Sequence, residues 1–122
     1  MSIQESGEMY LETILILSKQ KNIVRSIDIV EYMGFSKPSV SRAMSKLRDE
    51  KMIITDNDGF IALTENGRNI AEKIYERHNV MKAALMRLGV DEEIAAADAC
   101  KIEHDISDVS FTAIKNHLKK YL

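Results

Sequence analysis

A chain of 122 residues and 13.9 kDa, 45% of it hydrophobic, is long enough for one small domain, or for a module with an appended element, and can fill a core without staples. Its single cysteine cannot close an intrachain disulfide. The polar start lacks the basic region and apolar run of a secretory signal, and the longest apolar run, Ile14 to Leu17, is far short of the roughly 20 residues of a membrane span, so a cytoplasmic protein with no membrane partner is expected. A net charge of −2 with a pI near 5.9 excludes a binder that is basic throughout, so any hold on nucleic acid must rest on a local patch.

Taken in order, the chain first predicts a helix from near Ser2 or Ser6 to about Lys19. Ser2 and Glu5 have capping-box spacing, and Tyr10, Leu11, Ile14, Leu15 and Leu17 recur at helical intervals as a core face. Met9 and Glu12 lie three apart on that face, by themselves a core filler and a solvated acid. Ser26 is then expected to cap a short helix ending at Met33, with Ile27, Val30 and Met33 inward, before Gly34 breaks it. Gly34-Phe35-Ser36 leads into a second helix with Ser36 as N-cap and Pro38 in the first turn, where a missing N–H costs nothing. Val40, Met44 and Leu47 give it a buried side, and the pattern is that of a helix-turn-helix.

Met52 to Thr55 and Phe60 to Leu63 are short apolar runs around Asp56-Asn57-Asp58-Gly59, residues suited to a hairpin turn, so a wing follows. In a winged helix-turn-helix the second helix enters the major groove of DNA. The hydroxyls of Ser36, Ser39 and Ser41, with Lys37, Pro38, Arg42 and Lys46, suit a close approach to double-stranded DNA; a helical hairpin used for protein contacts is the competing reading. The charge is segregated accordingly. Between Lys37 and Lys51 five basic residues face two acids, whereas Asp91 to Asp108 holds seven acids and one lysine.

Thr64 is expected to cap the longest helix, running to about Leu88 with Ile70, Ile74, His78, Met81, Leu85 and Leu88 on one stripe. A lone histidine on such a stripe is usually a satisfied core residue, unless carboxylates or a thiol converge on it. Gly89 ends this helix and Asp91 caps the next. That next helix carries Cys100, Glu103 and His104, which at about 100° per residue share one arc and could meet one ion, while Ala95, Ala99, Ile102 and Ile106 form a separate apolar stripe. Alone the trio is a weak signal, since a lone cysteine is more often a small buried hydrophobe. A last amphipathic pattern, Phe111, Ile114, Leu118 and Tyr121, points to burial against a second subunit. The fold expected is mainly α, a winged helix-turn-helix over 1–63 followed by a helical metal-binding and dimerisation domain over 64–122.

Several pieces in this order resemble the diphtheria toxin repressor and manganese transport regulator family of metal-dependent repressors. They are Glu8-Met9-Tyr10-Leu11-Glu12, Ser36-Lys37-Pro38-Ser39-Val40-Ser41, Leu63-Thr64-Glu65-Asn66-Gly67-Arg68, Arg77-His78, Gly89-Val90-Asp91, and Cys100-Lys101-Ile102-Glu103-His104 with Ser107 beyond. The resemblance covers nearly the whole chain and is to the short form, because the sequence stops at Leu122 where longer members continue into an SH3-like domain. It implies a homodimer that binds Fe(II) or Mn(II) and then occupies palindromic operators of metal-homeostasis genes, not an enzyme. It also implies ligands: Met9, Cys100, Glu103 and His104 match the iron-responsive branch, and Glu12 and His78 match positions of the manganese branch. Thiolate and thioether donors place Fe(II) first and Mn(II) second, with one or two ions per subunit, the second held by Glu12, His78 and Glu103. Lys82 and Ala96 stand where the iron branch has its second site, and the wing, Asp56 to Asp58, is acidic where relatives often carry a base.

Two rival readings accompany this one. Cys100 could serve a winged-helix regulator as a redox or thiol sensor without metal. An enzyme with Cys100 as nucleophile and His104 as base is the less supported, because no Gly-rich loop or oxyanion-forming motif accompanies the pair.

Overall fold

The computed structural model describes residues 5–120. They form six helices and a hairpin: α1 (Glu5–Gln20), α2 (Ser26–Met33), α3 (Lys37–Asp49), β1 (Ile53–Thr55), β2 (Ile61–Leu63), α4 (Glu65–Arg87), α5 (Glu92–Ile102) and α6 (Asp108–Lys120). The chain divides into two compact units, Met1–Glu72 and Lys73–Leu122. The expected cap at Ser2 and the apolar position Tyr121 lie outside the described residues. Among the described residues no helix is long and apolar enough to cross a membrane.

In the first unit α1 packs on α2, α3 and β2, burying Tyr10, Leu11, Ile14, Leu15 and Leu17 as the periodicity predicts. Met9 does not join them and is 36% exposed. At 100° per residue both Met9 and Glu12 fall about 150° from the centre of the buried arc, so they share the opposite side of α1 and the core-face placement is corrected. In α2 the fully buried residue is Ile29, with Val30 and Met33 half-buried, while Ile27 faces out. Positions 29, 30 and 33 span about 100° of the helix and 27 lies about 110° from the centre of that arc, at its edge, so the expected inward triple loses its first member. Ser26 is the first helical residue and not the cap; Arg25 takes the N-cap position in extended backbone, and its N–H donates to the Asp28 carboxylate at 2.9 Å. The Lys21 ammonium, bonded to the same carboxylate at 2.8 Å, holds Asp28 below the usual carboxylate range, with the Arg25 N–H adding to the effect.

Gly34 closes α2 with φ +73°, and Ser36 caps α3 by accepting the Ser39 N–H at 3.2 Å. Pro38 sits in the first turn, and Val40, Met44 and Leu47 are buried as predicted. The hairpin is shorter by one residue at the start of each strand than the apolar runs suggest. Its register pairs Ile53 with Leu63, Ile54 with Ala62 and Thr55 with Ile61. Asp56 closes the turn by accepting N–H groups of Asp58 and Phe60, each at 2.9 Å. Arg48 donates to the Thr55 hydroxyl at 3.2 Å, tying the end of α3 to the first strand.

The hairpin is fastened to α4 at one crowded point. Thr64 donates its hydroxyl to the Lys51 carbonyl at 2.8 Å and accepts the Gly67 N–H at 3.1 Å, and the Thr64 N–H donates to Met52 O at 3.0 Å. A β-carbon on Gly67 would lie 2.0 Å from that same oxygen. Since backbone atoms crowd the site, Gly67→Ala is expected to cost about 2 kcal/mol, read as a lower urea midpoint with the m-value unchanged.

In the second unit α4 buries Ile74, Arg77 and Met81, α5 buries Ala95 and Ala99, and α6 buries Phe111. Leu88 is 81% exposed rather than buried. The helix ends at Arg87 and Gly89 has φ +99°, but the Leu88 N–H still reaches the Ala84 carbonyl at 3.2 Å, so Leu88 keeps its place after Met81 and Leu85 along an apolar groove that is open to water.

Candidate metal centre and DNA-reading helix

The second unit gathers three of the predicted donors. His78 on α4, Cys100 on α5 and Glu103 at the C-cap of α5 offer an imidazole nitrogen, a thiol sulfur and a carboxylate oxygen, all within 4.8 Å of one another. His78 Nδ1 lies 2.9 Å from Glu103 Oε2 and 3.7 Å from Cys100 Sγ. Cys100 is exposed, which rules out the buried-hydrophobe reading of this cysteine. Glu103 is 1% exposed, and a carboxylate so withdrawn from water requires positive or hydrogen-bonding partners. Bonds of about 2.0–2.3 Å to nitrogen, oxygen and sulfur place the donors of one ion within such a spread, so the residues fit a divalent transition metal.

His104 joins differently from expectation. Helix α5 ends at Ile102, so Cys100 and Glu103 keep their shared face while His104 falls in the turn beyond. Its Nε2 lies 3.4 Å from Glu103 Oε1, the carboxylate oxygen other than the one His78 meets. The turn beyond is closed locally, the N–H groups of Asp105 and Ile106 both returning to the Ile102 carbonyl at 3.0 Å.

Arg77 holds this turn, a role the sequence reading passed over. It is 5% exposed, and one guanidinium nitrogen donates to the carbonyls of Glu103, at 3.1 Å, and Ile106, at 2.6 Å, while the other donates to the Asp108 carboxylate. Lys73 and, after it, Arg77 hold Asp108 below the usual carboxylate range. The available signal was an arginine one residue from His78, on a helix side that periodicity assigned to the interior. Lys82 pairs with Glu92 at 3.2 Å.

Met9 and Glu12 belong to α1 of the first unit, where Met9 is exposed and Glu12 half-buried. The same unit carries the predicted reading helix. Ser36 donates to the Ser39 hydroxyl at 2.9 Å, and Arg42 reaches that hydroxyl at 3.4 Å, so the two serines are engaged in shaping the first turn. Lys37, Pro38, Ser41, Arg42 and Lys46 are exposed.

Two family models match: an iron dependent repressor N-terminal DNA binding domain over residues 2–59, and an iron dependent repressor metal binding and dimerisation domain over 64–121. This chain belongs to the iron dependent repressor family. It is a metal-dependent transcriptional repressor by that membership, carrying a DNA-binding segment and a metal-binding and dimerisation segment, and it is not an enzyme. Among its relatives, an uncharacterised HTH-type transcriptional regulator of Methanocaldococcus jannaschii is 30% identical, with 98% of this chain and 97% of the relative covered. The HTH-type transcriptional regulator MntR of Bacillus subtilis is 32% identical over 84% of this chain and 72% of its own. The solved structure of the manganese regulator SloR superposes with a TM-score of 0.83 at 28% identity, covering 98% of this chain; this chain spans 55% of that one.

Proposed function

We propose that this repressor binds palindromic operator DNA as a homodimer when a divalent transition metal, Fe(II) in first place and Mn(II) in second, is held by His78, Cys100, Glu103 and His104. Met9 and Glu12 are proposed as further donors from α1, and the metal count as one or two per subunit. DNA reading is assigned to 1–63, through Ser36, Lys37, Pro38, Ser39, Ser41, Arg42 and Lys46, and metal binding and dimerisation to 64–122. The regulated genes are those of metal-ion homeostasis. The observation that carries this reading is the convergence of imidazole, thiol and a buried carboxylate from two separated helices on one point. The likeness to the manganese regulator SloR adds support for the second metal. The exposed sulfur donor supports iron, because a soft thiolate discriminates against manganese.

In this account Glu103 supplies the charge, His78 orients one of its oxygens, His104 stands beside the other as a further nitrogen donor, and Cys100 selects the ion. A bound cation would supply the positive charge that a buried carboxylate lacks. By linkage, operator DNA tightens metal binding by the same factor by which metal tightens operator binding.

The test is anaerobic titration, with Fe(II), Mn(II), Co(II) and Zn(II), of binding to a duplex selected from random DNA by the metal-loaded protein. Fe(II) is expected to act at the lowest free concentration, and chelator, rather than reductant, to release the DNA. Binding indifferent to chelator would overturn the reading. In the same assay Arg42→Ala is expected to weaken DNA binding by about tenfold, with metal affinity measured without DNA unchanged.

A further inference from the structure

The wing is acidic at its tip, where a phosphate would meet Asp56 and Asp58. Asp56 has structural work there, since its carboxylate closes the turn on the N–H groups of Asp58 and Phe60. The residue that follows the turn is used in another way. The Arg25 guanidinium lies over the Phe60 ring, 4.6 Å from its centroid. Arg25 is itself exposed, and its backbone is fixed from both sides. The Val24 carbonyl accepts the Ile61 N–H at 2.7 Å, joining the entry of α2 to the start of β2, and the Arg25 N–H is held by Asp28. The hairpin in turn is tied to the end of α3 through Arg48 and Thr55.

We propose that Arg25, held on the face of Phe60, supplies the wing-side contact to a DNA backbone phosphate, and that Phe60 is a positioning residue for it. An arginine normally gives up much rotamer freedom when it grips a phosphate. Stacking on an aromatic ring restricts the side chain beforehand and leaves its edge N–H groups free to point at an anion, since the ring takes only the flat face. The exchange also explains how a wing with two acids in its turn serves a DNA-binding unit. Its tip is shaped by Asp56, and its positive charge is borrowed from the start of α2. This rests on the DNA-binding reading given above.

Contacts to phosphate have a signature of their own: each one contributes about one unit to the slope of log K against log salt and is felt equally by all sequences. With metal-loaded full-length protein, Arg25→Gln is expected to lower that slope by about one and to weaken the selected duplex and a random duplex by the same factor. Phe60→Leu, which keeps an apolar residue after the turn, is expected to lower affinity about three- to tenfold, Phe60→Tyr to retain it, and the Arg25→Gln, Phe60→Leu double variant to bind no more weakly than Arg25→Gln alone. Urea midpoints show whether each variant is folded. An unaltered salt slope in folded Arg25→Gln, or independent losses that multiply in the double variant, would overturn the proposal while leaving the metal-dependent repressor intact. Failure of the unaltered protein to bind any duplex with any of the four metals would overturn both.

Discussion

Glu103→Gln is expected to abolish the metal response while leaving the metal-free protein at least as stable as before. The substitution keeps the shape of a side chain that is 1% exposed and removes its charge. In the metal-free protein that charge sits between the His78 and His104 rings, 2.9 and 3.4 Å from its two oxygens, and a neutral amide in the same place is relieved of the desolvation cost. With metal the sign reverses. A ligand present at 100 times its Kd stabilises the folded state by about 2.7 kcal/mol, so the unaltered protein should gain that much and the variant essentially nothing. Metal affinity should fall by more than about 100-fold, beyond the range typical of groups that only support a ligand. Thermal unfolding with and without Fe(II) or Mn(II), read beside operator binding, checks both halves. A variant that still gained stability from metal would remove Glu103 from the site, and one destabilised without metal would mean the carboxylate is mainly structural.

The second large effect is expected at Arg77. Arg77→Met keeps an unbranched apolar stem but leaves the carbonyls of Glu103 and Ile106 without their shared donor, in a place where water has little access. Hydrogen bonds to a charged group are worth about 1.5–3 kcal/mol each. The third arm reaches Asp108, whose side chain is 72% exposed, so it adds little once solvent screening is counted. A loss of about 3 kcal/mol is therefore expected, or a Tm lower by roughly 10–15 °C. Because the same carbonyls fix the turn that carries Glu103 and His104, metal affinity should fall as well, although Arg77 offers no ligand. Arg77→Lys should recover only part, since an ammonium cannot span the two carbonyls and the carboxylate as a planar fork does. Stability unchanged in Arg77→Met would show that the turn holds its shape without the guanidinium.

The helices, their order and the wing were legible because each is specified by neighbours in sequence. Gly34, Ser36 and Pro38 announce the turn and the start of α3, and Asp56 to Gly59 announce the hairpin. Local spacing does not decide matters of packing. Ile27 and Ile29 are equally apolar, and only the surfaces that α2 meets select the second. Met9 is as apolar as its neighbours in α1, yet the helical arc of those buried neighbours excludes it from the core.

The donor cluster shows the same division more sharply. The sequence by itself determined that Cys100 and Glu103 would share a face, because three residues of helix fix that geometry, and it stated the condition under which His78 would be more than a core histidine. It could not bring His78 to them, since 22 residues and a change of helix separate His78 from Cys100. Nor could it place His104 on the far oxygen of Glu103, because that depends on where α5 stops. The stop is marked by two N–H groups returning to Ile102 and by a buried arginine from α4 holding the turn that follows. Short-range hydrogen bonding is written in adjacent residues, whereas the meeting of α4 with α5 is settled by packing among side chains distant in sequence, and only the folded chain brings those together.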